Sequence, residues 1–230
     1  MDRNSNSYTF IYAAVMVIVV AAILSFAATN LKKAQQQNVK IEKMQNILAS
    51  VNVQADAAQA EDTYNKTVTN SYVVNSKGEK VAGEAFNVAI AAEYKKAVAD
   101  RLLPVFECQI NGETKYILPL YGAGLWGPIW GYVSLNADAN TIYGANFDHQ
   151  GETPGLGAEI ATPAFQDQFK GKTIFNDGLL YSIMVAKSNE NFPEAHSVDA
   201  ISGGTITSKG LETMIKQDLE AYEAFLKTKQ

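Results

Sequence analysis

The sequence predicts an α+β protein in which one N-terminal transmembrane helix precedes a single domain, with a mainly antiparallel sheet and helices packed on it. Three observations carry this expectation. Residues 8–28 form an uncharged, mostly apolar run of 21 residues. Short β-branched runs then follow in pairs across turn residues, and the last segment repeats apolar residues at helical spacing. With 230 residues the chain has room for one span and one domain with a core of its own.

As a helix, the first run reaches about 30 Å, the thickness of a bilayer's hydrocarbon core. A cleaved signal peptide is the competing reading, with Ser25-Phe26-Ala27 as a small-x-small site. The run is longer than a usual signal core, however, and only Arg3 places a positive side chain before it. Lys32 and Lys33 follow the run and weakly favour a cytoplasmic C-terminal domain. Ile41, Met44, Leu48 and Val51 extend helical spacing to about residue 50, and the Ala/Asp/Gln-rich stretch 54–62 reads as a linker. The expected division is therefore 1–30 for the transmembrane helix, 31–65 for a juxtamembrane helix and linker, and 66–230 for the domain.

Within the domain, Tyr72-Val73-Val74 followed by Ser76-Lys77-Gly78 predicts a strand and turn, and 86–99 a helix that ends before Pro104. The runs 105–110 and 114–120 flank Asn111-Gly112, a dipeptide that tolerates positive φ and favours a tight hairpin. Two more strands, 131–135 and 141–147, follow across Ala137-Asp138-Ala139-Asn140. A short helix at 158–169, a strand at 179–186 and a long helix from about Ser208 complete the chain. In that helix Leu211, Met214, Ile215, Leu219, Tyr222 and Leu226 share one face, while Glu212, Lys216, Glu220 and Glu223 lie elsewhere.

The net charge of −5 and the lack of a long basic run argue against nucleic acid as a partner. One cysteine, Cys108, closes no internal disulfide, and with only His149 and His196 beside it no metal site of Cys/His type is expected. Electron transfer by this chain would require an organic cofactor.

Three glycine-rich segments hold the candidate functional residues. Ser202-Gly203-Gly204-Thr205 stands at the entrance of the last helix, where glycines bring backbone N–H groups close to an anion and the helix N-terminus adds partial positive charge. An N-cap and a turn account for the same residues. Glu152-Thr153-Pro154-Gly155-Leu156-Gly157 is a compact loop able to present polar groups to the edge of a flat ring, or else a strand-to-helix turn. The stretch 122–132 reads as a glycine-rich loop carrying Trp126 and Trp130, which would wall a planar ligand, face a partner, or pack in the core. Ser202, His149 and Asp199 are residue types of a hydrolase triad, although no Gly-x-Ser-x-Gly elbow supports one. A tethered binding domain without cofactor is the third reading.

In this order and after one span, the three segments resemble the FMN-binding domain family shared by the NqrC subunit of sodium-translocating NADH:quinone reductase and the RnfG subunit of the Rnf complex. The resemblance implies FMN held covalently by a phosphoester to the Thr205 hydroxyl, installed by a flavin transferase that uses FAD and magnesium. Ser202, Gly203 and Gly204 complete that motif, with Gly204 standing where the family usually has alanine. Glu152, Thr153 and Leu156 would contact the flavin, with Gly155 and Gly157 shaping their loop. Trp126 would wall the flavin, and Lys187, read from its place at the end of the last expected strand, would neutralise phosphate or reduced-flavin charge or else stand as a solvated lysine. The stretch 125–132 looks more like NqrC than RnfG. The implied role is that of a one-electron carrier with no catalytic residue or metal of its own, within a Na+-translocating NADH:ubiquinone reductase. Its partners would be the lipid bilayer, an iron–sulfur donor and a second FMN-bearing membrane subunit. The family's topology puts the domain on the periplasmic face of a bacterial inner membrane, against the hint from Lys32 and Lys33.

The uncharged run predicts that the helix stays on the mature protein. N-terminal sequencing of membrane-extracted protein should find the original N-terminus, and a sequence starting near Ala28 would contradict this.

Overall fold

The computed structural model describes residues 5–187 and 190–230, so Arg3 lies outside the described residues. The chain divides between Lys43 and Met44 into two units. Helix α1 (Asn6–Ser50) is continuous, so the transmembrane and juxtamembrane helices expected from the sequence are one helix. It is long and apolar enough to cross a membrane, and side chains such as Phe10, Val17, Ile18 and Phe26 are exposed along it.

In the second unit, the last turn of α1 buries Met44, Ile47 and Leu48. The helix stops because Asn52 takes a left-handed φ of 59°, a conformation asparagine adopts more readily than most residues at a helix C-terminus. Val53 N–H then turns back to the Leu48 carbonyl at 3.0 Å. The hydroxyl of Ser134 donates to the Ser50 carbonyl at 2.5 Å, and a Cβ at Gly144 would lie 2.5 Å from that same oxygen. Helix end and sheet therefore touch backbone to backbone. Helix α2 (Ala60–Thr67) takes up the end of the expected linker, burying Ala60 and Tyr64.

The sheet has six strands: β1 (Val68–Val74), β2 (Lys80–Val81), β3 (Leu103–Ile110), β4 (Glu113–Ala123), β5 (Pro128–Leu135) and β6 (Ile142–His149). Their order is β2-β1-β3-β4-β5-β6, and every pairing is antiparallel, as expected. Asn111 and Gly112 both have positive φ, 53° and 82°, which is the backbone of a tight two-residue hairpin. The β5–β6 turn is held by Asp138, whose carboxylate accepts from the N–H groups of Asn140 and Thr141, each at 2.9 Å.

Four expectations are corrected. The stretch 122–132 is mostly sheet: Ala123 pairs with Pro128, and only a tip of four residues, closed by Gly124 N–H to Gly127 O at 2.8 Å, leaves it. Trp126 sits on that tip and Trp130 within β5, so the two tryptophans do not share a loop. The helix expected at 86–99 is reduced to single turns, at Ala85–Asn87, α3 (Ile90–Glu93) and Val98–Asp100. Only Glu93 is buried between 86 and 99, so no apolar stripe holds a longer helix on the core. The helix at 158–169 is split into a 3-10 turn (Gly157–Ala161), α4 (Pro163–Gln166) and a second turn (Asp167–Phe169), because Pro163 cannot continue the ladder of N–H bonds. The strand at 179–186 is interrupted at Ser182, whose φ is 70°. Before it, β7 (Phe175–Asn176) pairs with β8 (Leu179–Leu180); after it, β9 (Met184–Ala186) runs parallel to β10 (Ser197–Asp199).

Helix α5 (Thr205–Lys227) crosses the sheet and buries Leu211, Met214, Ile215, Leu219, Tyr222 and Leu226, the face expected from their spacing. Asp218 is buried among them. It accepts from Tyr121 N–H at 2.8 Å and lies 3.7 Å from the Arg101 guanidinium. Burial nevertheless pushes its carboxyl up to about 7, against those two groups. The folded chain thus holds this proton more tightly than the unfolded chain, where the carboxyl titrates near about 4. The stability due to this group is complete below about pH 4, declines as the pH rises, and is lost above the folded value. Asp218→Asn keeps an oxygen for Tyr121 N–H and should flatten that decline. Melting curves of both proteins in detergent across this range test it, and parallel pH profiles would contradict it.

Candidate functional site

Helix α5 begins at Thr205, three residues before the expected start. The chain enters it from β10 through a turn in which Gly204 N–H donates to Ile201 O at 3.0 Å. Gly203, the third residue of that turn, has a φ of 74°, which type II turns reserve for glycine. The turn is tied back to the helix: Ser208 Oγ accepts from Ile201 N–H at 3.2 Å, and Ser208 N–H donates to Gly204 O at 2.9 Å. That last bond starts the helical ladder, so the N–H groups of Thr205, Ile206 and Thr207 precede it and point from the helix N-terminus. Thr205 and Ile206 are exposed, whereas Thr207 and Ser208 are buried.

The loop after β6 packs against this entrance. Pro154 and Gly155 form its outer bend, with Gly155 at a φ of 75° and its N–H donated to Glu159 at 3.0 Å. Thr153 O accepts from the N–H groups of Leu156 and Ala158, which folds the loop into the next turn. Glu152 is buried at the base. Its Oε1 accepts from Trp126 N–H at 2.9 Å and its Oε2 from the Thr207 hydroxyl at 2.5 Å. Its own N–H donates to His149 Nδ1 at 3.2 Å.

The hairpin tip, the loop and the helix entrance enclose a groove of about 370 Å3. The tip supplies Leu125 and Trp126, the loop Glu152, Thr153, Leu156 and Gly157, and the entrance Gly203, Gly204, Thr205, Ile206 and Thr207. Trp126 is 69% exposed and Ile206 59% exposed, so large apolar surfaces stand open on the groove's flanks. Free helix N–H groups at one end and apolar surface along the sides suit an anionic group attached to a flat ring. A Cβ on Gly203 would lie 2.7 Å from Leu156 Cδ2, and one on Gly204 2.9 Å from Ile201 Cγ2. Glycine at both places keeps the entrance tight, and alanine at Gly204 requires Ile201 to shift.

Three other residues singled out from the sequence lie off the groove. Ser202 is exposed on the turn and Gly155 sits at the loop's bend, neither lining it. Lys187 lines a separate depression with Glu190 and Asp199. Among the described residues no hydrogen bond joins Ser202, His149 and Asp199: His149 Nδ1 is engaged by Glu152 N–H, and Asp199 lines the separate depression with Lys187. The hydrolase reading therefore has no triad geometry behind it. Ile206 is a lining residue that sequence reasoning did not single out, and Thr207, the hydroxyl that would be the acceptor if the motif were read two residues later, lines the groove as well. The only trace of Thr207's role is its spacing of two from Thr205, which places the two hydroxyls on opposite sides of a helix.

Comparison with known proteins agrees with this geometry. The FMN-binding domain family matches residues 124–220, a span that holds the hairpin tip, the loop and the helix entrance. The NqrC subunit of the Na(+)-translocating NADH-quinone reductase of Haemophilus ducreyi is 32% identical over 94% of this chain and 90% of its own length. The corresponding protein of Neisseria meningitidis is 31% identical over 92% and 88%. The solved structure of the same reductase subunit from Parabacteroides distasonis is similar with a TM-score of 0.81 at 47% identity, covering 85% of this chain and 96% of that one. That of NqrC from Shewanella oneidensis has a TM-score of 0.70 at 26% identity, covering 84% and 98%.

A Cβ on Gly157 would sit 2.3 Å from Glu152 Oε2 and 2.4 Å from Thr207 Oγ1. Gly157→Ala should therefore cost about 1–3 kcal/mol of stability through overpacking. Thermal melts in detergent would register the loss, and an unchanged midpoint would show that loop and helix are not packed as described.

Proposed function

The chain belongs to the NqrC family of Na(+)-translocating NADH-quinone reductase subunits, and from that membership we propose that it is a membrane-anchored electron carrier holding FMN covalently on Thr205. The observation that supports Thr205 above its neighbours is its placement. It is the first residue of α5, exposed on the groove, while the hydroxyls of Thr207 and Ser208 are buried in hydrogen bonds to Glu152 and Ile201.

Attachment requires the Thr205 oxygen to attack the phosphorus on the FMN side of FAD. An Oγ–P bond forms, a P–O bond of the pyrophosphate breaks, AMP leaves, and the hydroxyl proton is lost. A magnesium-dependent flavin transferase carries out this step, so the chain supplies no general base. The N–H groups of Thr205, Ile206 and Thr207 at the α5 N-terminus, with the helix dipole, would hold the negative charge of the phosphoester. Leu125, Trp126, Leu156 and Ile206 would offer the ring apolar surface, and Thr153 with the loop backbone would offer it polar groups. FMN supplies the reversible one-electron chemistry that no side chain of this protein provides. The chain's own work is to bind, orient and shield it.

In the complex, electrons arrive from an iron–sulfur centre of another subunit and leave to a second FMN-bearing subunit. Helix α1 anchors the chain in the inner membrane, with the domain on the periplasmic side. The hydrolase reading lacks a triad, since His149 Nδ1 is taken by Glu152 N–H, and a tethered binding domain without flavin is separated from the carrier by the mass measurement below.

Thr205→Ala removes the acceptor oxygen and keeps a small side chain at the helix entrance. Co-expressed with a competent flavin transferase, the wild type should gain the mass of one FMN less one water and fluoresce in denaturing gels. Thr205→Ala should fold, reach the membrane and show neither signal. Flavin retained covalently in Thr205→Ala would refute the site, and wild type that never gains the mass would refute the carrier.

A further inference from the structure

We propose that Glu152 is a positioning residue that presents the acceptor threonine and sets the hairpin tip over the groove, a role it performs before any cofactor is present. The inference rests on the reading that Thr205 carries the flavin.

Both carboxylate oxygens of Glu152 are already committed within the protein, one to Trp126 N–H at 2.9 Å and one to the Thr207 hydroxyl at 2.5 Å. The side chain has little freedom to turn elsewhere. Its residue is 5% exposed, and its backbone is fixed through the N–H donated to His149 at the end of β6. Glycines back it on two sides, since a Cβ at Gly124 would lie 2.5 Å from Oε1 and one at Gly157 2.3 Å from Oε2. One carboxylate thus joins the hairpin tip to the first turn of α5 with no space between.

The consequence for Thr205 follows from helix geometry. At about 100° per residue, positions 205 and 207 project about 200° apart. Holding the Thr207 hydroxyl inward as a donor to Glu152 turns the Thr205 hydroxyl outward, into the groove. The two threonines of the entrance are thereby sorted: one oxygen is buried and bonded, the other open to attack the phosphorus of an incoming flavin nucleotide. The same carboxylate fixes the backbone of Trp126, whose ring flanks that groove. Glutamine at this position can keep both bridges, with its oxygen accepting from Trp126 N–H and its NH2 donating to a rotated Thr207 hydroxyl. Alanine keeps neither.

The test uses full-length protein in detergent, first without flavin. Amide hydrogen exchange at Trp126 should be at least about tenfold faster in Glu152→Ala than in wild type, the loss expected for a buried hydrogen bond to a charged acceptor. Glu152→Gln should stay within about threefold. The second arm is co-expression with the flavin transferase, sampled over time and mapped by peptide mass. Wild type should carry flavin on Thr205 alone. Glu152→Ala should acquire it at least about tenfold more slowly, with part of the mass on Thr207, and Glu152→Gln should rescue both rate and site. If Glu152→Ala does not fold, Thr207→Val decides, because it keeps bulk and burial while removing the donor. It should speed exchange at Ser208, whose N–H opens the helical ladder, and slow attachment, leaving Trp126 exchange unchanged. Wild-type exchange together with wild-type attachment in Glu152→Ala, or in Thr207→Val where the alanine variant is unfolded, would overturn the proposal. If wild type takes no flavin on Thr205, the functional reading fails instead, and the exchange arm still decides whether Glu152 fixes the entrance.

Discussion

The register of α5 on the sheet is the constraint from which the groove follows. An apolar stripe alone leaves a helix free to slide along a sheet by part of a turn. Here close backbone approaches fix it at both ends. Near its start, a Cβ on Gly210 would lie 2.3 Å from Ala123 O, and one on Gly122 2.7 Å from Met214 Cβ. Near its end, a Cβ on Gly78 would lie 2.8 Å from Phe225 N. Between them the Tyr222 hydroxyl donates to Pro104 O at 2.8 Å in the buried core. Glycine inside a helix costs about 1 kcal/mol against alanine, and at Gly210 that cost accompanies the contact that brings the helix entrance to the end of β4. Shifted along its axis, α5 would present Thr205 to some other surface.

The second level of organisation is polar. Glu152 sits in a largely buried place where an unpartnered carboxylate would be costly, and it is satisfied by one backbone N–H and one hydroxyl from two different elements. Asp218 plays a comparable part lower on α5, taking Tyr121 N–H from β4. Each carboxylate bridges the β4–β5 hairpin to the same helix, one at the groove and one in the core. The hairpin and the helix therefore hold each other in place by directed bonds as well as by burial, and directed bonds are what give a groove a fixed shape.

The end of α1 follows the same logic of close approach. Ser134 donates to the Ser50 carbonyl, and Gly144 leaves room for that oxygen against β6. The last turn of the helix, its Met44, Ile47 and Leu48 buried, is part of the core of the second unit. This explains why the helix stops at a left-handed asparagine rather than fraying into the stretch that follows.

The sequence by itself determined the features that depend on local period and local turn chemistry. The uncharged run of α1, the Asn111-Gly112 hairpin, the antiparallel order of the long strands and the buried face of α5 were all legible, because spacing and positive-φ residues act over a few positions. So was the pairing of a glycine turn with a hydroxyl at a helix entrance. What only the tertiary structure decided are matters of long-range contact. The segment 86–99 has helical composition but buries no apolar stripe, and Ser182 breaks a strand because two N–H groups, those of Tyr181 and Ser182, converge on Ile174 O. No periodicity shows that Trp126 leaves the sheet while Trp130 stays in it, or that Lys187 faces a different depression. Nor do residue type and helical spacing separate Thr205 from Thr207, which in the sequence only the resemblance of the motif did. Their residue type is the same, and what distinguishes them is a carboxylate 55 positions away from Thr207 in the chain, brought beside one hydroxyl and not the other by the packing of α5 on the sheet.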